Sequence, residues 1–288
     1  MLRRTESGQA LVLVLLSLSV VLTLILYVLS RSIVDVTVSS GQEQSVRAFS
    51  AAEAGVERAL VTGAGSSDVQ IGDAKYTSTV SGFAQGYTEY AYPILLSSGD
   101  WATVWFMAHD ATGKLSYDAS HQFTGNSMNV YWGIPGTPEN SPTTPAVEVS
   151  VFYGNPADFS TVKIARWTFD PNSGRALPNS FSNAVGIGNW SIAGETYAFR
   201  GVISLAGLPT PPANSRLIFS RIKLFYNTSI AQKVGVSVAG GILPSQGQDI
   251  SSTGVAGGSN RKINVFNGWA EFPFGSDVLY SPLGLTKP

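Results

Sequence analysis

One stretch of sequence sets the architecture of this chain: Gln9-Ala-Leu-Val-Leu-Val-Leu-Leu-Ser-Leu-Ser-Val-Val-Leu-Thr-Leu-Ile-Leu-Tyr-Val-Leu-Ser30. No charged residue lies between Glu6 and Arg31. As an α-helix these 22 residues extend about 33 Å, close to the roughly 30 Å hydrocarbon core of a bilayer. The stretch exceeds the apolar part of a secretory signal, and no small-residue cleavage site follows it. We therefore expect residues 9–30 to form a membrane-spanning helix.

The charges that flank this helix predict its orientation. Arg3 and Arg4 precede it, and basic residues beside a membrane span stay on the cytoplasmic side. We expect a single-pass protein with its N-terminus inside the cell and the rest of the chain outside.

A helical pattern continues beyond the membrane, over residues 31–60. Apolar residues recur there at three- and four-residue spacing, which is typical of an amphipathic helix. Four of them are predicted to dock the helix on the rest of the protein: Val46, Phe49, Val56 and Leu60. Glu53 and Glu57 are expected on the solvated face, whereas Gly41 and the β-branched run 33–38 are possible points of irregularity.

The first 60 residues resemble a known family. A short basic leader ends in Ser7-Gly8, the apolar helix starts at once, and Arg47-Ala-Phe-Ser-Ala-Ala-Glu-Ala-Gly-Val-Glu-Arg-Ala-Leu60 follows. This combination resembles type IV pilin-like proteins, and most of all the PilX-like minor pilins and minor pseudopilins. The resemblance implies that residues 1–8 are a leader, that a prepilin peptidase cuts after Gly8, and that Gln9 becomes a methylated N-terminus.

The resemblance also assigns a task to the apolar helix. It implies that the helix leaves the inner membrane for an extracellular filament and packs there against other pilin-like subunits through its apolar residues, represented by Leu13, Leu16, Val20 and Leu24. Major pilins carry Glu at the fifth mature position, which here is Leu13. A member without that Glu is typically a tip or initiating subunit, although a lineage could also have dispensed with the residue.

Residues 61–288 are predicted to form a β-rich head. Short runs rich in β-branched and aromatic residues alternate there with Gly, Pro, Asn and Asp, which is typical of an all-β, sandwich-like domain. The predicted strands are 75–80, 101–107, 147–153, 163–169, 197–203, 217–226, 234–238 and 262–266. With the long helix, these strands make the fold class α+β.

The organisation of the head is suggested by its last strands. Residues 250–265 indicate two strands around a Gly-rich turn, similar to the closing hairpin of many pilin-like proteins. If this hairpin and strand 75–80 form one small sheet on the helix, residues 83–247 are an inserted β-sandwich. The proline-rich run 134–146 is either a linker or a long loop.

Composition excludes several kinds of site. The chain has no Cys, two His and a net charge of −1, with only 18 Lys and Arg. This argues against disulfides and thiolate metal sites and against a nucleic-acid partner. No catalytic motif is present, and His109 and His121 lack an identifiable nucleophile and acid. We expect no catalytic, cofactor or metal site, and we interpret 110–114 and 170–175 as hairpin turns rather than calcium loops.

Two tryptophans are candidates for ligand binding. Trp101 and Trp105 are four residues apart on one predicted strand and so share a face. Aromatic rows grip sugars, but aromatic residues also fill the cores of β-sandwiches. A core role is the favoured reading, with binding of a surface glycan or protein as the alternative.

The sequence therefore predicts a non-enzymatic minor pilin or pseudopilin, placed at the tip of a filament or decorating it, whose head serves adhesion or partner contact. A second hypothesis is a bitopic surface protein that binds a glycan or a partner and never polymerises. A third is an anchored enzyme that acts on polysaccharide. Cleavage after Gly8 would separate the first hypothesis from the second.

Overall fold

The chain folds into one long helix followed by β-sheets. The computed structural model describes residues 7–110, 112–117, 122–184, 186–208 and 214–270. About 43% of the chain is strand, and the α+β class is confirmed at this level. The helices and strands are α1 (Ser7–Thr62), β1 (Ser66–Ile71), β2 (Ala74–Gly82), β3 (Glu89–Ala91), β4 (Trp101–Trp105), β5 (Ser127–Trp132), β6 (Ala146–Gly154), β7 (Lys163–Asp170), α2 (Ser173–Ala176), β8 (Ser182–Asn183), β9 (Gly186–Ile192), β10 (Glu195–Ser204), β11 (Arg216–Phe225), β12 (Val234–Ala239), β13 (Gly247–Ala256) and β14 (Ser259–Gly268).

Helix α1 is continuous across both zones that the sequence separates. Its 56 residues extend about 84 Å. Gly41 and residues 33–38 lie within it without a break, and Thr37 Oγ1 donates to the Ile33 carbonyl oxygen at 2.8 Å. The hydrogen bonds of a regular helix therefore outweigh the weak helix propensity of these residues.

The chain divides into two compact units. The first holds the residues up to Val80 together with Ile250–Val265, and the second holds Ser81–Asp249 and the described residues from Phe266 onward. The predicted insertion, residues 83–247, falls inside the second unit.

The first unit combines α1 with an antiparallel sheet in the order β1-β2-β13-β14. Strands β13 and β14 are joined by the two-residue turn Gly257-Gly258. Gly257 has φ = +53°, a conformation that a tight hairpin turn requires and that glycine adopts without strain.

The second unit contains two five-stranded sheets, in the orders β3-β12-β5-β10-β9 and β4-β11-β6-β7-β8. Nearly all neighbours are antiparallel, and β8 pairs in parallel with β7. One buried cluster takes residues from both sheets, with Val130 and Trp132 from the first and Val147 and Val149 from the second. The indole of Trp132 donates to the Pro145 carbonyl oxygen at 2.8 Å, so its one polar atom is satisfied inside this core.

The structure decides between linker and loop for the proline-rich run, and it differs from the prediction at residues 170–175. Of the proline-rich run 134–146, residues 134–145 are a loop between β5 and β6, within one unit, and Ala146 begins β6. The chain at 170–175 is not a hairpin turn, because the next strand, β8, runs parallel to β7. Asp170 is fully buried and pairs with Arg175, five residues further on. The segment therefore coils into the short helix α2 instead of reversing.

Candidate functional site

The lower half of α1, residues 9–30, exposes apolar side chains all around the helix. Leu13, Leu16, Val20 and Leu24 are each more than half exposed. By length and composition α1 could cross a membrane, and it is the one helix in the described part of the chain that could. Gly8 and Gln9 also belong to α1, while leader residues 1–6 lie outside the described ranges.

Three hydroxyl groups within this apolar half bond back to the helix. Ser17 and Ser19 donate to the carbonyl oxygens of Val14 and Leu16, at 2.9 and 2.8 Å. Thr23 donates to the carbonyl oxygen of Ser19 at 2.8 Å. Because these hydroxyls are satisfied internally, they can face lipid or a neighbouring helix at little cost.

The upper half of α1, residues 31–62, docks through small residues on the sheet of the first unit. Only one of the four predicted docking residues, Val56, is buried, at 7% exposed. Val46, Phe49 and Leu60 are 66%, 47% and 43% exposed, so the prediction is wrong for these three. The docking face consists instead of six small or medium side chains at helical spacing: Ala48, Ala51, Ala52, Gly55, Val56 and Ala59.

Close approach of backbones explains why the face is small. A Cβ placed on Gly254 of β13 would lie 1.9 Å from the carbonyl oxygen of Ala48 and 2.6 Å from the backbone nitrogen of Ala52. A Cβ on Gly55 would lie 2.2 Å from the Ser252 hydroxyl. Large side chains do not fit in this gap, so the apolar stripe that the large residues define turns away from the sheet.

Polar contacts fix the position of the helix along the sheet. Arg47 bridges Glu43 at 2.6 Å and Asp73, in the β1–β2 turn, at 3.0 Å. Glu43 and Arg47 are four residues apart, so their bridge runs along one side of the helix. At the other edge, the amide of Gly258 donates to Gln44 Oε1 at 3.1 Å.

Glu53 and Glu57, for which a solvated face is predicted, are both exposed. Both lie off the docking face, where either solvent or a neighbouring subunit can meet them.

The two candidate ligand tryptophans are not an exposed pair. Trp105 is 2% exposed and packs with Met107, Ile218 and Phe219. Trp101 is half-buried, and the guanidinium of Arg221 lies 5.5 Å from its ring centroid. Trp105 thus takes the core role that the sequence favours, and the two rings do not form the exposed row that the alternative of ligand binding requires.

His109 lies between two indole rings. It stacks on Trp269 with ring centroids 4.8 Å apart and meets Trp105 edge-on at 4.4 Å. Burial lowers the pKa of His109 from 6.5 to about 4, against the opposing effect of the nearby Asp110 carboxylate. The imidazole is therefore neutral at pH 7 and a poor general base. His121, the other candidate, lies outside the described residues.

The turn that follows His109 is a hairpin, as predicted. Asp110 Oδ1 accepts hydrogen bonds from the amides of Thr112 and Lys114, at 2.8 and 3.1 Å. The Thr112 hydroxyl also donates to it, and this bond is the largest cause of the lowered pKa of Asp110. These three bonds show that Asp110 Oδ1 stabilises the turn. Within the described ranges, no group of three or more His, Asp or Glu side chains could hold a metal ion.

A cleft beside His109 was not predicted from the sequence. It has a volume of about 340 Å³ and is lined by His109, Gln122 and residues 242–245, among others. These segments are far apart in sequence and carry no motif, so only the folded chain brings them together.

Comparison with models of known protein families, with curated proteins and with solved structures finds no match to this chain.

Proposed function

We propose that the chain is a minor pilin or pseudopilin subunit. A prepilin peptidase cuts it after Gly8, and α1 then passes from the inner membrane into a type IV pilus-like filament. The second unit, a sandwich-like head, stays outside the cell for adhesion or contact with a partner. The partners of α1 are the helices of other pilin-like subunits.

The observation that carries the proposal is the exposed apolar surface of α1 beyond the membrane. A membrane anchor needs only about 20 apolar residues, yet α1 continues to Thr62. Val46, Phe49 and Leu60 stay exposed there although the same half of the helix is docked on a sheet. Exposed apolar surface in water is unfavourable unless something covers it, and packed neighbouring helices would cover both this stripe and the lower half.

An apolar residue at position 13, where major pilins carry Glu, supports a place for this subunit at the filament tip. The fifth residue after the proposed cleavage site is Leu13. A carboxylate buried in an apolar helix bundle is costly unless a cationic partner neutralises it. A subunit with no neighbour above it has no such partner, so an apolar residue suits that place.

Processing and assembly test the proposal together. Gly8→Ala, expressed in membranes that contain a prepilin peptidase, is expected to stay full length and to be missing from sheared filaments. The matched control is Gly41→Ala in the same helix, where an added Cβ meets nothing within 4 Å, and it should be cut and assembled normally. Normal processing of Gly8→Ala would contradict the proposal, and a full-length wild-type chain would favour the bitopic surface protein.

A further inference from the structure

The second unit has an open strand edge. Strand β9, of seven residues, ends the sheet β3-β12-β5-β10-β9. Its backbone bonds to β10 on one side and makes no other hydrogen bond within the described chain. The register against β10 shifts once, but Lys and Pro, which often block strand edges, are absent from β9. An edge of this kind can receive a strand from another chain.

A guanidinium is held against this edge strand. Arg200 of β10 pairs with Gly186 of β9, and its guanidinium carbon lies 4.0 Å from the ring centroid of Trp190, which is also in β9. A Cβ on Gly186 would lie 2.5 Å from the same indole, so glycine makes room for the ring. The indole thus fixes the guanidinium beside β9, next to the place that an added strand would take.

The Arg200 guanidinium has no anionic partner within the described chain. Its Nε is inaccessible to solvent, whereas Nη1 and Nη2 stay accessible, and none of the three makes a hydrogen bond or an ion pair with the described residues. By contrast, Arg166 and Arg175 of the same unit lie 4.0 and 2.7 Å from carboxylates. A partly buried, unpaired guanidinium is stabilised by an anion that reaches its two terminal nitrogens.

The charges of the sheet indicate that this anion is a single carboxylate. Arg200 is the one Lys or Arg in the five strands as described. Both acidic residues of these strands are engaged elsewhere. Glu89 Oε2 accepts from the Ala193 amide at 2.7 Å, and Glu195 pairs with Lys233 at 2.5 Å. One positive charge balances a carboxylate, whereas a phosphate, with a charge of about −1.5 to −2 at pH 7, would need a second cation.

The open edge and the guanidinium beside it select the same kind of partner. The free peptide groups of β9 can pair with another peptide backbone, and a polysaccharide offers no such ladder. Adjacent strands lie about 4.8 Å apart, so an added strand would run about 10 Å from the backbone of β10. That separation is within the combined reach of an Arg side chain and a Glu or Asp side chain.

We propose that the edge of β9 receives an extended, acidic segment of a partner protein, which adds a strand to the sheet and pairs a Glu or Asp carboxylate with Arg200. The proposal names the chemistry of the partner that the head contacts, yet it rests on the second unit alone. It can therefore fail while cleavage after Gly8 succeeds, and the reverse also holds.

Peptide selection is the first test. A phage-displayed library of random linear dodecapeptides is panned against the full-length protein in detergent, and a selected peptide is then synthesised and titrated by calorimetry. We expect the selected sequences to combine alternating β-branched residues with a Glu or Asp. Replacing that acidic residue of the peptide by its amide should weaken binding about tenfold, and about 0.5 M NaCl should weaken it as well.

A substitution of the arginine tests the charge. Arg200→Gln should weaken the acidic peptide about tenfold and leave the affinity of its amide counterpart unchanged. The matched control is Arg166→Gln, in the other sheet of the second unit, and it should bind the acidic peptide like the wild type.

A substitution in β9 tests the strand edge. Ser191 faces Thr196 one pair before the two-residue turn Ala193-Gly194, so its N–H points away from β10. Ser191→Pro removes this donor and should weaken the peptide about tenfold. Ser191→Thr retains the N–H and should bind normally.

A trimer of galacturonic acid carries carboxylates without a peptide backbone, and we expect it not to compete with the peptide. The proposal is overturned if no acidic peptide is selected, if the trimer competes as well as the peptide does, or if either Arg200→Gln or Ser191→Pro binds the acidic peptide like the wild type. The exchange of the acidic residue for its amide is made in the peptide, so misfolding of the protein cannot account for its effect.

Discussion

A buried ion pair holds the proline-rich loop of the second unit in place. Arg175 donates from Nε and Nη2 to the two oxygens of Asp170, at 2.7 and 2.9 Å. The same guanidinium reaches the carbonyl oxygens of Pro142 and Thr144, at 2.9 and 2.7 Å. It also lies 3.8 Å from the ring centroid of Tyr226. One side chain therefore ties α2, the loop and the end of β11 together.

Removing that arginine should be costly. Arg175→Ala leaves the Asp170 carboxylate buried and unpaired, and we expect the free energy of unfolding to fall by about 3–5 kcal/mol. Urea unfolding followed by tryptophan fluorescence measures this, because all six tryptophans lie in the second unit. The matched control is Arg166→Ala, whose half-exposed guanidinium lies 4.0 Å from Glu148, with an expected loss below about 1 kcal/mol. Equal losses would refute the role given to Arg175.

His109 makes the stability of the second unit depend on pH. Its pKa is about 4 in the folded protein, against 6.5 for a free imidazole. Above pH 6.5 both states are neutral, and the contribution of the packed imidazole is fully present. As the pH falls from 6.5 to about 4, only the unfolded state binds the proton, so stability is lost. The Asp110 carboxylate opposes the shift, and the indole rings on either side carry no charge.

The variant His109→Phe isolates this effect from the titration of carboxylates. Between pH 7 and pH 4, we expect the free energy of unfolding to fall more steeply for the wild-type protein than for His109→Phe. The measurement is the same urea titration at a series of pH values. Parallel curves for the two proteins would show that the imidazole is not buried in its neutral form.

At the scale of elements, the docking of α1 depends on two glycines, one in strand β13 that faces the helix and one in the helix that faces the sheet. Gly254 in β13 has the helix backbone within 2 Å of where its Cβ would be, and Gly55 in α1 faces Ser252 and Tyr76. The pattern Ala-Ala-Glu-Ala-Gly at 51–55 thus has a steric reason, because it allows the helix to lie against the strand. Exposed Gly41 has no such neighbour.

Adding one methyl group at each site should therefore have opposite effects. Gly254→Ala forces the helix and β13 apart, with an expected loss of about 1–3 kcal/mol from overpacking. Gly41→Ala should gain about 0.5–1 kcal/mol, since alanine is the better helix former. Amide hydrogen exchange of residues 250–265 reports the first change, and the melting temperature of α1 by circular dichroism reports the second. Unchanged exchange in Gly254→Ala would contradict the close packing.

The elements themselves could be predicted from the sequence wherever the pattern is local. The uncharged run 9–30 and the alternating strands of residues 147–153 and 234–238 indicate their own structure, and each is found. Strands β1, β3, β5, β8 and β9 are not among the predicted strands. β3 and β8 are only three and two residues long, and β1 and β9 are irregular, with a register shift against their partners. β5 has a regular alternation and was overlooked although its pattern is local. The docking face was misjudged because hydrophobicity favours Phe49 and Leu60, whereas the closeness of the sheet requires small residues.

At the scale of the whole molecule, local patterns could not predict the candidate sites in full. The cleft joins residues near 109, 122 and 242–245, which meet only after strands far apart in sequence have paired. Asp170 has the sequence context of a turn residue, and only the folded chain buries it beside Arg175. The apolar half of α1, by contrast, is evident from composition alone, because no charge interrupts it.

The intact mass and N-terminal sequence of the wild-type protein test the central claim most directly. The protein would be isolated from membranes with and without a prepilin peptidase. We predict a chain that begins at Gln9, with or without a methyl group, only where the peptidase is present. A chain that still begins at Met1 in both membranes would contradict the claim and leave α1 as a simple anchor.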